Sequence, residues 1–217
     1  GALCAVLLLA LCPAAAADAP CEISSAEELS LLRETPDGDF VLTADIDMTG
    51  VKGFKPIASK KDQGFTGTFD GQFHSIKGLR VEYEKKYAGL FGYVGNQDDQ
   101  AYIKNVALLD CYVTGQQNVG ALAGVNYGTI TDCVVTGEVK CLDLSNSHTA
   151  GGICGKLKEG EGPIVGHVED CYVNADVSAP YDAGGIAGIQ DGGGYLARCF
   201  AAGTVDATAT SGTVGHA

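Results

Sequence analysis

The feature that most constrains this chain is a short Gly-rich apolar segment that recurs at intervals of about 30 residues, the signature of a repeat architecture. Each copy is a four-residue apolar stretch that ends in Gly. The copies are GLFG from Gly89, ALAG from Ala121, GICG from Gly152 and GIAG from Gly185. The filling between copies is uneven, which indicates loops inserted into some repeats. Such a chain is expected to stack one structural unit on the next.

A second recurring segment follows each Gly-rich copy and has the pattern of a short strand. It reads apolar-x-polar-apolar-x-apolar. The copies are IKNVAL from Ile103, ITDCVV from Ile130, VEDCYV from Val168 and LARCFA from Leu196. If the repeats stack in register, the first residue of each copy falls in one inward-facing column.

This strand segment has to turn a corner in its middle. Ile130 and Cys133 have opposite parity along a strand, so both can face inward only if the backbone bends between them. Asn and Asp tolerate the left-handed conformation that such a corner needs. The residues at this position are Asn105, Asp132 and Asp170. Arg198 occupies it in the last copy, where we therefore expect the coil to bend differently.

Beyond the corner, Cys133, Val135 and Val139 are predicted to face inward, with Val177 and Val205 equivalent to Val139. Gly137 and Gly203 would form further corners. The chain has 46% apolar residues, 31 Gly and no Trp, a composition that favours folded β-structure. One coil cannot offset its own ordering entropy, so coils must stack. The predicted fold is all-β, a parallel β-helix (β-solenoid) of about five or six coils.

The N-terminal part has a different pattern. Residues 1–17 contain the apolar run Ala2–Cys12 followed by small residues, and are predicted to be a signal peptide of an exported protein. Residues 18–38 follow, and within them Glu22–Arg33 predicts a short helix with a capping box of Ser25 and Glu28. We expect this helix to cap the open end of the first coil. Residues 39–217 form the predicted solenoid, which ends inside a further repeat.

Residues 40–48 alternate apolar and polar side chains and predict a strand. Phe40, Leu42, Ala44, Ile46 and Met48 share the predicted inner face. Asp45 and Asp47 share the outer face, where two carboxylates could contribute to a Ca²⁺ site. Calcium takes six to eight oxygen ligands, so a solvated strand face is the favoured interpretation.

The segment FTGTFDGQFHSIKGL from Phe65, followed by GLFG and by repeats of the form G-x-I-x-[ND]-C-x-V-x-G-x-V, resembles the GLUG-repeat proteins. The resemblance covers residues 39 to the end. It departs from the family at Ala121, where Gly is preferred, and at Arg198. It implies a bacterial exported or cell-surface protein, and the same repeat occurs beside metallopeptidases that cleave immunoglobulin A. It implies no particular chemistry.

Seven cysteines remain after the predicted signal peptide, and an odd number in an exported chain usually indicates disulfides with one spare thiol. Cys133, Cys171 and Cys199 share one repeat position, which Val106 occupies in the preceding coil. A position open to Val and Cys is a small apolar core site, so we predict a buried thiol ladder there. Matching Cys111 to Cys133 through the shared DCxVTG is a rival register. No C-x-x-C pattern for zinc occurs.

No catalytic cluster is visible in the sequence. The four histidines are scattered, and His167 near Glu169 and Asp170 begins a strand segment. Gly151–Lys156 is similar to a phosphate loop, but Ala150 and Leu157 replace its essential residues. We therefore predict no catalytic, cofactor-binding or metal-binding residues and no cofactor.

The formal net charge of −13 argues against nucleic acid or an anionic membrane as the partner. Apart from the signal peptide no membrane insertion is expected. Five segments break the repeat and are either binding loops or tolerated insertions. They are Lys55–Gly64, Gly95–Gln100, Asp143–Ser147, Lys156–Gly166 and Gln190–Gly194.

These observations favour a non-enzymatic extracellular module, secreted or at the cell surface. It would act as a rigid stalk or an adhesion scaffold for a host, matrix or glycan ligand, joined to further repeats or domains of the same chain. One alternative is a carbohydrate-active enzyme, because parallel β-helices host such enzymes. Another is an accessory segment of a large secreted peptidase.

Overall fold

A computed structural model describes residues 19–61, 63–143 and 148–208. The predicted signal peptide, the last partial repeat and most of the loop 143–147 lie outside these described residues. Among the described residues, no helix is both long enough and apolar enough to cross a membrane.

The described part of the chain is built from short strands and one short helix, α1 (Ala26–Leu31), which continues into a 3₁₀ turn, Leu32–Glu34. The strands are β1 Cys21–Ile23, β2 Phe40–Leu42, β3 Ile46–Asp47, β4 Thr68–Asp70, β5 Ser75–Lys77, β6 Arg80–Ala88, β7 Phe91–Val94, β8 Tyr102–Lys104, β9 Ala107–Gly120, β10 Ala123–Asn126, β11 Thr129–Thr131, β12 Val134–Cys141, β13 Thr149–Gly151, β14 Cys154–Lys158, β15 His167–Glu169, β16 Tyr172–Ala179, β17 Asp182–Gly184, β18 Ala187–Asp191, β19 Tyr195–Ala197, β20 Phe200–Ala202 and β21 Val205–Ala207.

These strands form three parallel sheets that wind into a β-solenoid of about five turns, as the sequence predicted. Sheet A has seven strands in the order β1-β2-β4-β8-β11-β15-β19. Sheet B has ten strands, with β9, β12 and β16 at its centre, and sheet C has four in the order β18-β14-β10-β7. Each coil passes from sheet C through sheet A to sheet B. Because strands of successive coils pair in register, every coil satisfies the backbone of its neighbours.

The predicted inward column runs through sheet A. Ile130 pairs with Ile103 on one side and with Val168 on the other, and Val168 pairs with Leu196. The column extends to Phe69 in β4. Ile103, Ile130 and Val168 are fully buried, while Leu196 in the last described coil is 38% exposed. The predicted column Val139, Val177 and Val205 is confirmed in sheet B.

The corner between sheets A and B is left-handed in every one of the four aligned coils. Asn105, Asp132 and Asp170 have φ of 55°, 54° and 52°. The expectation that the last coil bends differently is wrong, because Arg198 has φ of 48°. Its guanidinium donates to both carboxylate oxygens of Asp170 in the preceding coil, at 2.6 Å each, and to Glu169 at 3.0 Å. This ion pair holds Arg198 in a conformation that its side chain alone does not favour.

The N-terminal helix is shorter than predicted. Cys21–Ile23 belongs to β1 and pairs with Phe40–Leu42, so the helix begins only at Ala26. The Ser25 hydroxyl caps it by accepting from the Glu28 N–H at 3.2 Å, as the capping box predicts, while the Glu28 carboxylate accepts from Ser24. Leu29 and Leu32 are buried in the main core beside the terminal strand of sheet A.

The predicted strand over residues 40–48 is divided into β2 and β3, which lie in different sheets. Phe40, Leu42, Ile46 and Met48 are buried as expected, whereas Ala44 lies near the turn and is only half-buried. The division occurs because this segment turns the corner from sheet A to sheet B.

The predicted thiol ladder is present. Cys133 and Cys171 are buried, and Cys199 is partly exposed. Each of the three thiols donates to the backbone carbonyl two residues before it, at 3.1 or 3.2 Å. The rival register is wrong, because Cys111 lies opposite Gly137 and not Cys133. Cys111, Cys133, Cys141, Cys154, Cys171 and Cys199 are free thiols in the described part of the chain.

Candidate functional site

Three of the five predicted insertions collect at one turn of the solenoid. Residues 95–101 join β7 to β8, residues 159–166 join β14 to β15, and residues 192–194 join β18 to β19. All three connect sheet C to sheet A and lie on successive or nearby coils. We call these three segments the loop ledge. In the coil between them, only Tyr127 and Gly128 span the same turn, so the fold itself does not require the longer loops.

Two of the predicted loops are shorter in the structure. Lys156–Lys158 belongs to β14, and Gln190 and Asp191 belong to β18. Both strands extend because they pair with each other up to Lys158 and Asp191. The carboxylate of Asp191 binds the Lys156 ammonium at 2.9 Å and that of Lys158 at 3.3 Å. The hydrogen bond from Lys156 is the main cause of the lowered pKa of Asp191.

The loops of the ledge are ordered by their own polar groups. The Asn96 side-chain oxygen accepts from the N–H groups of Asp98 and Asp99, both at 2.8 Å. The Glu161 N–H donates to the Gln97 carbonyl at 2.8 Å and so joins two loops that are two coils apart. The Glu159 carboxylate accepts from the Gly193 N–H at 2.7 Å and joins the third loop. The ledge is therefore one connected surface.

An apolar cluster outside the main core supports the ledge. It consists of Tyr93, Val125, Tyr127 and Ile164, with Tyr87 packed against it. Ile164 comes from the ledge itself, and the other members come from sheet C and the chain beside it. The rings of Tyr87 and Tyr93 lie 4.7 Å apart between centroids. Sequence analysis missed this cluster, although Tyr93 and Tyr127 each follow a Gly-rich copy closely.

The exposed rim of the ledge is acidic and open. An open depression between the first two loops is lined by Thr66, Asp98, Asp99, Gln100 and residues 161–164. Within the described ranges, no group of three or more His, Cys, Asp or Glu side chains is arranged to hold a metal ion. The rim can therefore offer hydrogen bonds and negative charge to a ligand at its surface.

The candidate calcium ligands Asp45 and Asp47 are engaged locally. Asp45 accepts from the Ser75 N–H at 2.7 Å, and this bond is the largest cause of its lowered pKa. Asp47 accepts from the Thr49 N–H at 2.8 Å, and its pKa is lowered by its bonds to Thr49. These carboxylates satisfy backbone donors of the solenoid.

The other residues considered for chemistry are structural as well. The His167 ring packs against Tyr195 at 5.2 Å between centroids, while Glu169 and Asp170 bind Arg198. Gly151–Lys156 runs from β13 into β14, and no helix follows it to receive a phosphate. The structure therefore does not assemble His167, Glu169 and Asp170 into a site, and it does not make Gly151–Lys156 a phosphate loop.

Comparison with known proteins agrees with the fold. Residues 115–140 match the GLUG motif. The chain is 31% identical over 152 residues to halomucin of Haloquadratum walsbyi, covering 65% of this chain and 2% of halomucin. It is 33% identical over 105 residues to a protein of Evansella cellulosilytica named as a Gly-rich membrane protein, covering 44% of this chain and 12% of that protein.

A solved structure is also similar. It is a Bacteroides ovatus protein assigned as an immunoglobulin A1 protease, with a TM-score of 0.76 and 28% identity. The match covers 93% of this chain and 62% of the solved chain. The chain thus spans less than two thirds of each of these relatives. The comparisons therefore place one GLUG motif, residues 115–140, within a parallel β-solenoid.

Proposed function

We propose that this chain is a non-enzymatic extracellular module, a rigid solenoid that displays the loop ledge as a binding surface. The observation that carries the proposal is the convergence of three inserted loops on one turn, where the intervening coil needs only Tyr127 and Gly128. Inserted loops on a regular scaffold are common sites of recognition. The names of the sequence relatives, halomucin and a Gly-rich membrane protein, support a location outside the cell or at its surface.

A catalytic role is the second candidate, because the structural relative is assigned as an immunoglobulin A1 protease and β-helices host carbohydrate-active enzymes. Such chemistry needs converging carboxylates or a bound metal. In the ranges that the structure describes, Asp45 binds a backbone donor, Asp191 binds lysines and Asp170 binds Arg198. Glu82, which lines a depression with Glu84 and Asp143, pairs with Arg80 at 2.8 Å. We therefore favour binding over catalysis.

Shortening one loop tests the binding proposal. Residues 95–101 are replaced by Tyr-Gly, the connection that the chain itself uses between β10 and β11. Retention of the purified chain is then measured on immobilised mucin, collagen and cellulose. We expect the natural chain to bind at least one surface and the shortened variant to lose roughly tenfold in affinity, as for a lost recognition loop. Arg198→Asn, away from the ledge, is the matched control and should bind normally.

Two results would overturn the proposal. One is equal retention of the natural and shortened chains when both show the same thermal unfolding. The other is turnover, measured as cleavage of immunoglobulin A1 or release of reducing ends from polysaccharide, in proportion to the concentration of this chain.

A further inference from the structure

The cations of this acidic chain are divided into two groups of seven. One group is paired with carboxylates within 4.0 Å and includes Lys77, Arg80, Lys104, Lys140, Lys156, Lys158 and Arg198. The other group has no such ion pair with a described residue and consists of Arg33, Lys52, Lys55, Lys60, Lys61, Lys85 and Lys86. All members of the second group come from the first part of the solenoid. Among the described residues, the cations of this region thus carry no ion pair in a protein whose net charge is −13, although Lys61 lines a small depression with Asp98 and Asp99 of the loop ledge.

The fold brings the two lysine-bearing segments of this group side by side. The Tyr83 hydroxyl lies 3.3 Å from the Ser59 hydroxyl and links β6 to the segment that carries Lys60 and Lys61. The same segment pairs with the start of β7, since the Ile57 N–H donates to the Leu90 carbonyl at 2.9 Å. Lys85 and Lys86 lie five and four residues before Leu90 in the sequence.

Lys52 and Lys55 continue the same surface. The Arg33 guanidinium donates to the Lys55 carbonyl at 3.2 Å and lies 5.8 Å from the Phe54 ring centroid, which fixes this part of the segment against the N-terminal region. We call the six exposed lysines 52, 55, 60, 61, 85 and 86 the lysine patch. In the sequence of residues 51–62 and 83–88, two carboxylates, Asp62 and Glu84, accompany the six lysines.

A strand irregularity adds to the exposure of the patch. A regular strand with one buried face exposes alternate residues, but Glu84, Lys85 and Lys86 are all exposed. The pairing of β6 with β9 shifts register between Tyr83 and Lys86. A bulge of this kind redirects side chains, and here it directs two adjacent ammonium groups to solvent.

We propose that the lysine patch binds an anionic polysaccharide, a chain that carries carboxylate or sulfate groups. Lysines are mobile point charges that suit a flexible polyanion, whereas protein hot spots favour Arg and aromatic residues. None of the exposed large apolar side chains among the described residues comes from the patch segments, so it lacks the apolar anchor of a membrane-binding surface and the aromatic platform of a single-stranded nucleic acid site. Local positive charge on an acidic protein orients the ligand toward this one region.

The inference rests on the proposed role as an extracellular binding module and names a ligand class for it. The test uses the full chain with polygalacturonate as the carboxylate probe, dextran sulfate as the sulfate probe and neutral dextran as the control. The patch variant carries Lys60→Gln, Lys61→Gln, Lys85→Gln and Lys86→Gln. The control variant has the same change in charge at paired lysines: Lys77→Gln, Lys104→Gln, Lys140→Gln and Lys156→Gln.

We expect the natural chain to bind one or both polyanions and not neutral dextran. Affinity should fall roughly tenfold or more between about 50 and about 200 mM NaCl, because ion release drives the binding. The patch variant should lose roughly tenfold or more in affinity at the lower salt concentration, and the control variant should stay within about twofold. Binding to one probe alone identifies the anionic group.

Four outcomes would overturn the inference. They are no binding to either polyanion at low salt, an equal loss in the two variants, tighter binding to phosphatidylserine vesicles than to the polysaccharides, and self-association of the natural chain that the patch variant abolishes. The last two would assign the patch to a membrane or to a second copy. The patch variant leaves residues 95–101 unchanged and the shortened variant leaves every patch lysine unchanged, so failure of this inference is distinguishable from failure of the proposed function.

Discussion

At the corner between sheets A and B, one left-handed backbone conformation is held by different side chains. Asn105 donates its side-chain amide to Asp70 at 3.0 Å, and Asp132 accepts from the Thr131 hydroxyl at 2.9 Å. Arg198 is held by Asp170 in the coil before it. Asn and Asp adopt this conformation through their own short side chains. Arg198 lacks such a short polar side chain and is instead held by a partner in the neighbouring coil.

Replacing Arg198 with Asn separates the corner from the ion pair. Arg198→Asn keeps a side chain that tolerates φ of 48° but removes the cation that lowers the pKa of Asp170. The Asp170 pKa should rise toward its ordinary value, as measured by carboxyl NMR titration. Because the folded pKa is the lower one, the pair stabilises the fold above the unfolded pKa of about 4 and this contribution is lost as pH falls. An unchanged Asp170 titration would contradict the assignment.

A second constraint at the scale of single residues is the close approach of two coils at Gly137. Its φ is 131°, and an added Cβ would overlap the carbonyl oxygen of Cys111 in the preceding coil. Gly137→Ala should lower the free energy of unfolding by about 1–3 kcal/mol or more, from backbone strain and overlap together. Gly162→Ala is the matched control, because Gly162 also has positive φ, 62°, but nothing lies within 4 Å of the added Cβ. Urea denaturation measures the free energy of unfolding of both variants. Equal losses would show that backbone strain, and not overlap with Cys111, causes the effect.

At the scale of elements, the buried cysteines, in the thiol ladder and outside it, show how stacked strands protect reactive groups. Burial raises the pKa of Cys111 to about 12 and also raises that of Cys154, while the hydrogen bond with Cys133 and burial raise the pKa of Cys171. The thiolate is the reactive form. Burial can therefore keep these cysteines reduced even in an oxidising environment.

This protection predicts an order of labelling. With a thiol reagent at about pH 8, the partly exposed Cys199 should react first, and Cys111, Cys154 and Cys171 only when the protein unfolds in urea. Mass spectrometry of peptides after timed quenching identifies each site. Rapid labelling of Cys154 in the native protein would contradict the buried arrangement, and the urea-unfolded chain provides the control for intrinsic reactivity.

At the scale of the whole molecule, the parts that sequence predicts are those encoded by periodic residues. Ile103, Ile130 and Val168 recur at equivalent positions, so their column and the register followed from spacing alone. The start of α1 could not be predicted from spacing. Cys21–Ile23 pairs with β2, which is distant in sequence, and this pairing delays the helix to Ala26. For the site, loop positions were visible as breaks in the repeat. Their joining by Glu161 and Gln97, and the division of lysines into paired and unpaired groups, depend on contacts between coils.

The same dependence on neighbouring coils predicts where the solenoid is most sensitive to substitution. Ile130 is fully buried between Ile103 and Val168, whereas Leu196 is 38% exposed in the last described coil. Ile130→Ala should cost about 2–5 kcal/mol, the range for a buried aliphatic residue, and Leu196→Ala about 1 kcal/mol or less, since less of its surface is buried. The urea midpoints of the two variants measure these costs, provided that the slope of the unfolding free energy against urea concentration is unchanged. In a stacked array each coil contributes through its interfaces with two neighbours, so equal costs at the two positions would contradict energetic coupling along the column.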